Sequence, residues 1–159
     1  MKKFVFLLFF VSTVTWGQTK DMPTSFSQSY ELESKGQYVK AAEALMDVYS
    51  EHSYEINLRL GWLYYLSADY VKSQNYYKIA NKIYPKSVES KLGLVYPTAA
   101  LQNWNEVTRL YEEVLTVDPL NTRANFQLGV IYLLKKDYKK ALEYTDKVFE
   151  LYPFDYDTN

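Results

Sequence analysis

The side chains that could do chemistry are few. One histidine, His52, stands beside Glu51, and a His-carboxylate neighbour pair is the smallest unit of general acid–base catalysis. Glu112-Glu113, and Asp155 with Asp157, are adjacent acidic pairs. Neighbours at i and i+1 diverge on a helix, so Glu112 and Glu113 are read as a solvated face rather than a catalytic pair. The chain has no cysteine, which removes thiol nucleophiles, disulfides, iron–sulfur clusters and the usual structural zinc sites. A single histidine also removes His-rich metal cages and argues against a Ser-His-Asp triad. The Gly-rich phosphate loop, H-E-x-x-H and G-x-S-x-G are all missing. His52 is therefore assigned to a turn, and the sequence points to no enzyme, cofactor or metal.

Charge excludes a further class. With 18 Lys plus Arg against 19 Asp plus Glu, the net charge of −1 offers no basic footprint for nucleic acid. Lys135-Lys136 and Lys139-Lys140 cluster, but Asp137 interrupts them, so they read as a solubilising edge. What remains is binding through apolar surface. The 159 residues include 17 tyrosines and are 18% aromatic, too apolar for a disordered chain and long enough for one unaided core.

The N-terminus reads as an address. Met1-Lys2-Lys3 is a positive start, Phe4 to Val14 is an uncharged apolar run, and Thr15-Trp16-Gly17 supplies small residues at a cleavage site. Such a run is too short to span a bilayer, which takes about 20 residues. The expectation is a signal peptide over 1–17, with an uncleaved anchor as the alternative. The lysines and the phenylalanine-rich run look bacterial, so the expected location is periplasmic or secreted. Cleavage leaves residues 18–159 with a net charge of −3 and no stable membrane span.

The rest of the chain repeats. Tyr84-Pro85, Asp118-Pro119 and Tyr152-Pro153 are spaced 34 apart, as are Tyr70, Trp104 and Tyr138. Apolar residues at helical spacing precede each proline. Leu60-Gly61, Leu92-Gly93 and Leu128-Gly129 are each followed by a tyrosine three positions on: Tyr64, Tyr96 and Tyr132. Asp69, Asn103 and Asp137 are candidate N-caps, and Asn103 with Glu106 has capping-box spacing. This pattern resembles the tetratricopeptide repeat (TPR) family over about residues 22–153. The resemblance implies an all-α solenoid of helix-turn-helix pairs in a right-handed superhelix, with about four repeats near 22–53, 54–86, 87–120 and 121–153. Residues 154–159 then form a tail or the start of a further repeat. The first repeat is degenerate, keeping Gly36, Tyr38, Ala41 and Leu45.

Two departures stand out. Eight residues separate Tyr96 from Trp104 where six separate Tyr64 from Tyr70, and Pro97 falls where a helix should be finishing. A proline costs about 3 kcal/mol inside a helix, so the third first-helix is expected to end or kink near Tyr96, before a turn lengthened by two residues. That turn is either a binding loop or a tolerated insertion, the latter being favoured. The given residues past Pro153 do not supply the polar helix that would cover the last apolar face, so either the array continues in a longer chain or a partner or second copy covers that face.

The resemblance also places a binding site. Leu60, Gly61, Tyr64 and Ala68 form the stripe that the repeat buries. A second stripe, Leu58, Trp62, Tyr65 and Leu66, faces the family's concave groove; its counterparts read as Ser90, Leu94, Pro97 and Thr98, and as Phe126, Val130, Leu133 and Leu134. The groove candidates are therefore Leu58, Trp62, Tyr65, Leu66, Leu94, Phe126, Val130 and Leu133. The family's carboxylate-gripping asparagine positions are apolar here, so a C-terminal carboxylate clamp is rejected, and Arg59 and Lys91 are expected to be solvated or salt-bridged. The expected partner is a protein or peptide segment held by aromatic anchors. The alternatives are self-association into a homo-oligomer through the uncapped C-terminal helices, or a role as part of a larger protein.

Overall fold

The computed structural model describes residues 21–153, so the proposed signal peptide and the tail Phe154–Asn159, with Asp155 and Asp157, lie outside the described residues. Among the described residues there are eight α-helices and no strand: α1 (Met22–Ser34), α2 (Tyr38–Glu43), α3 (Tyr54–Leu66), α4 (Tyr70–Ile83), α5 (Val88–Ala100), α6 (Trp104–Val117), α7 (Thr122–Leu134) and α8 (Tyr138–Leu151). A 3-10 turn, Met46–Val48, follows the short α2. Consecutive helices pack as hairpins, and α3 also touches α5.

Local chemistry fixes where each helix starts. Ser53, Ser87 and Asn121, spaced 34 apart, accept from the backbone N–H three residues on at 3.4, 3.1 and 3.0 Å. Asp69, Asn103 and Asp137 do the same for α4, α6 and α8 at 3.1, 3.3 and 3.2 Å. Asn103 is half a capping box, because the Glu106 carboxylate is taken by Arg109 instead of turning back. Pro85, Pro119 and Pro153 each follow a helix C-cap, where a missing N–H costs nothing.

The turns inside the pairs are equally regular. The N–H of Asp69 bonds the Tyr64 carbonyl at 2.9 Å and that of Ala68 bonds Tyr65 at 3.0 Å, the paired bonds of a Schellman turn. The same two bonds recur at Gln37/Gly36, Asn103/Gln102 and Asp137/Lys136. The residue in the turn has positive φ: Gly36 at 70°, but also Ala68 at 63°, Gln102 at 58° and Lys136 at 61°. A Cβ in that region is strained. Ala68→Gly, Gln102→Gly and Lys136→Gly are each expected to stabilise the fold by about 0.5–1 kcal/mol. Urea unfolding midpoints check this, and unchanged or lower midpoints in all three would contradict it.

These landmarks correct the expectations for the third pair. Its turn has no insertion. The interval from Ser87 to Asn121 equals that from Ser53 to Ser87, and α3, α5 and α7 each have 13 residues. The helix does not end at Tyr96: α5 runs through Pro97 to Ala100, with Pro97 buried among the packed helices. Burial of this segment and the Schellman turn behind it outweigh the local penalty of the proline. Leu92-Gly93 is two residues out of register; Leu94 and Val95 occupy the places of Leu60-Gly61 and Leu128-Gly129. Ala68 is likewise not on the buried stripe, since it forms the turn after α3. The short spacing belongs instead to the first pair, whose caps Asp21 and Ser53 stand two positions closer than those of the later pairs.

The core follows the helix pairs. Ala41, Leu45, Ile56, Leu60 and Leu63 join pairs one and two, and Leu94, Val107, Leu110, Val114 and Leu128 join pairs three and four. Stacked tyrosines, Tyr64 on Tyr76 at 5.4 Å and Tyr132 on Tyr144 at 5.6 Å, close the second and fourth pairs. Buried polar groups tie down the loops. Asn57 donates to the carbonyls of Ser50, Glu51 and Ser53, and Asn125, its counterpart, to those of Pro119 and Asn121.

Candidate functional site: an aromatic groove along the first helices

The site begins with a close approach. The Tyr77 ring, 3% exposed, is wedged between α3 and α5. A Cβ on Gly61 would lie 2.8 Å from that ring, and one on Gly93 would lie 2.2 Å from it. Burial pushes the Tyr77 phenol well above its ordinary pKa. Because both glycines admit the ring, α3 and α5 sit side by side, and their outer faces form one surface.

On that surface the aromatic rings converge. The Trp62 centroid lies 5.7 Å from Tyr65 and 6.0 Å from Tyr96; Tyr65 is 5.3 Å from Tyr96 and 6.0 Å from Tyr70. Trp62 is oriented from behind by a buried charge network. Its indole N–H donates to Glu33 Oε1 at 2.7 Å, and the other Glu33 oxygen meets Arg59 Nη1 at 2.5 Å. Arg59 also donates to Ser29 Oγ and covers the Tyr30 ring at 3.8 Å. So Arg59 is salt-bridged rather than solvated, the second of the two expectations for it. Lys91 is not solvated either: it is 6% exposed and donates to Asn81 at 3.0 Å, with Glu113 at 3.9 Å.

Beside the rings is a depression of about 570 Å³ lined by Leu58, Trp62, Val88, Leu92 and Tyr96, with Tyr77 and Gly93 also contributing. Its polar flanks are Glu89, which accepts from the Tyr54 hydroxyl at 3.3 Å, and Arg123, which lies 5.0 Å from the Tyr96 ring centroid. Hydrogen bonding to Tyr96 raises the Arg123 pKa, outweighing its desolvation. A second apolar depression of about 520 Å³ lies further along, among Ala99, Trp104, Tyr111, Val130, Ile131 and Leu134. The arrangement suits apolar side chains presented by an extended or helical segment. Among the described residues no group of three or more His, Asp or Glu could hold a metal.

Comparison with known proteins agrees with this architecture. The sequence model of the tetratricopeptide repeat matches residues 122–155. The crystal structure of MamA matches with a TM-score of 0.72 at 18% identity, covering 80% of this chain and 76% of that one. A tetratricopeptide repeat protein from Parabacteroides merdae matches at 0.77 and 19% identity, covering 84% of this chain and 54% of that one. The fold is a TPR solenoid. YrrB, described as a TPR protein with an unusual peptide-binding site, matches at 0.68 and 19% identity, over 85% of this chain and 71% of that one. No curated protein matched the sequence.

Within the TPR frame, the sequence-predicted groove residues fall as follows. Leu58, Trp62, Tyr65 and Leu66 are half-buried on α3, Phe126 and Val130 are half-buried on α7, and Leu133 is 54% exposed. Leu94 is not a groove residue. It is 3% exposed within the core, the counterpart of Leu60 and Leu128. Leu92, Tyr96 and Ala99 line the α5 part of the groove, as counterparts of Leu58, Trp62 and Tyr65. Sequence reasoning missed these, along with Val88 and Arg123. The signal that would have found them is the regular spacing of the helix caps, which is independent of the Leu-Gly motif.

The other residues that could do chemistry, His52, Glu112 and Glu113, lie apart from this groove. His52 is exposed, 3.6 Å from Glu51. Glu112 and Glu113 are half-buried rather than solvated: Glu112 accepts from the Tyr132 hydroxyl at 3.1 Å, and Glu113 pairs with Arg109. Lys135 and Lys140 both sit over the Tyr132 ring, at 5.3 and 4.8 Å.

Proposed function

We propose that this chain is a non-catalytic, exported interaction scaffold that holds an apolar peptide or helical segment along α3, α5 and α7. The reading rests chiefly on the Trp62, Tyr65 and Tyr96 cluster beside a 570 Å³ depression open to solvent. Rigid aromatic anchors around an apolar pocket are the usual carriers of binding energy at protein interfaces. Export rests on the Lys-Lys start, the apolar run and the small residues that close it at Gly17. Among the described residues no helix is long and apolar enough to cross a membrane.

The test is affinity capture from the cell envelope with the tagged protein, run beside a Trp62→Ala, Phe126→Ala double variant and a Tyr96→Ala variant. The expected result is a protein captured by the parent and lost from both variants, whose far-UV ellipticity is unchanged. Equal capture by parent and variants would overturn the groove reading. An uncleaved first segment in the mature protein would overturn the cleavage.

A further inference from the structure

α4 and α6 each turn one row of side chains toward the helix that follows. On α4 the row is Gln74, Tyr77 and Asn81, which meet Thr98, Gly93 and Lys91 of α5. On α6, one repeat later, it is Thr108, Tyr111 and Leu115. On α8 the same row reads Leu142, Thr145 and Phe149, extended by Tyr138 and Tyr152. Thr145, at its centre, rests on Gly129 of α7, and among the described residues no helix covers the rest. Tyr138 is 64% exposed, Leu142 60%, Phe149 40% and Tyr152 54%. Ala141 and Val148, which border the row on its α7 side, are buried.

The spacing of this row decides what fits. Steps of four, three and four residues from Tyr138 to Phe149 are those of a coiled-coil seam, which Tyr152 follows as the C-cap. Lys139 and Asp146 each follow a seam position and flank it on one side. Neither makes an ion pair among the described residues. In two antiparallel α8 helices, Lys139 of each copy lies opposite Asp146 of the other, so the surface complements itself about a two-fold axis. Head-to-tail stacking lacks such a match, because α1 at the far end presents Thr24, Ser27 and Glu31 to solvent.

We propose that α8 is a self-association surface, on which a second copy docks its own α8 antiparallel, with Leu142 and Phe149 in the seam and two Lys139–Asp146 pairs on the flank. Sedimentation velocity and equilibrium on the protein as its host processes it test this. The parent should show a concentration-dependent monomer–dimer mass. Leu142→Glu should raise the dissociation constant at least about tenfold with ellipticity unchanged, because that side chain is largely exposed. Lys139→Glu and Asp146→Lys should each weaken the dimer severalfold, and the double reversal should restore it. A parent that stays monomeric overturns the proposal and leaves the face to a different occupant. A dimer indifferent to Leu142→Glu overturns it as well. A double reversal that fails to restore association overturns the antiparallel pairing. The Trp62→Ala, Phe126→Ala variant should keep the parent's mass, which separates this surface from the groove.

Discussion

Tyr77→Ala is expected to destabilise the fold by about 3–5 kcal/mol, because the ring fills the space between α3, α4 and α5 and no neighbour can collapse into it. Gly93→Ala approaches the same contact from the other side. The new methyl would overlap a ring already held against Gly61, so the cost is about 2–3 kcal/mol. Gly129→Ala should cost less. Its methyl would meet Thr145 Cγ2 at 2.6 Å, the tip of a half-buried side chain that can rotate away. In a Tyr77→Leu background the effect of Gly93→Ala should shrink, since the smaller side chain leaves room. Urea unfolding of the single and double variants measures all of this. Additive costs at positions 77 and 93 would mean that the wedge is not what sets the α3–α5 approach. If the proposed function holds, Gly93→Ala should also weaken groove binding, because Trp62 and Tyr96 meet only if α3 and α5 lie close.

The second large effect is expected at Glu33. Its carboxylate serves both Arg59, whose side chain is 8% exposed, and the Trp62 indole N–H. Glu33→Ala leaves a buried guanidinium without its counter-charge and should cost about 3 kcal/mol, the low end for a buried pair because Glu33 itself is 22% exposed. Replacing both partners, Glu33→Leu with Arg59→Met, should come close to neutral, since desolvation of two charges is then avoided. Chemical unfolding gives the magnitude. Amide exchange gives the location: in Glu33→Ala, α1 should lose protection before α3 does, because this pair ties one to the other. A double replacement as costly as the single one would show that apolar packing and not the charge balance holds α1. Trp62 should also lose its fixed orientation in Glu33→Ala.

Some features of this protein are local, and those were legible from the sequence. Asp69, Asn103 and Asp137 cap helices because a short side chain three residues before a free N–H needs nothing from elsewhere in the fold. The prolines at 85, 119 and 153 mark helix ends for the same kind of reason. With a regular period and amphipathic helices between these marks, the solenoid followed, and so did the aromatic stripe of α3. Other features depend on what a segment meets in space. Leu92-Gly93 imitates the repeat motif, but Gly93 is small because the Tyr77 ring, from the preceding helix, rests on it. Pro97 stays inside α5 because burial outweighs a local penalty. Leu94 entered the core, and Leu92 and Tyr96 took the groove, as a result of that same register. The sequence left Arg59 and Lys91 either solvated or salt-bridged. They are buried because Glu33, from a different helix pair, and Asn81, from α4, receive them. The chain alone determined the helix caps and the 34-residue period, since those bonds close within a few residues, but not the end of α5. Tertiary structure decided which face of α5 is core and which is groove, since that depends on contacts between helices that no local motif encodes.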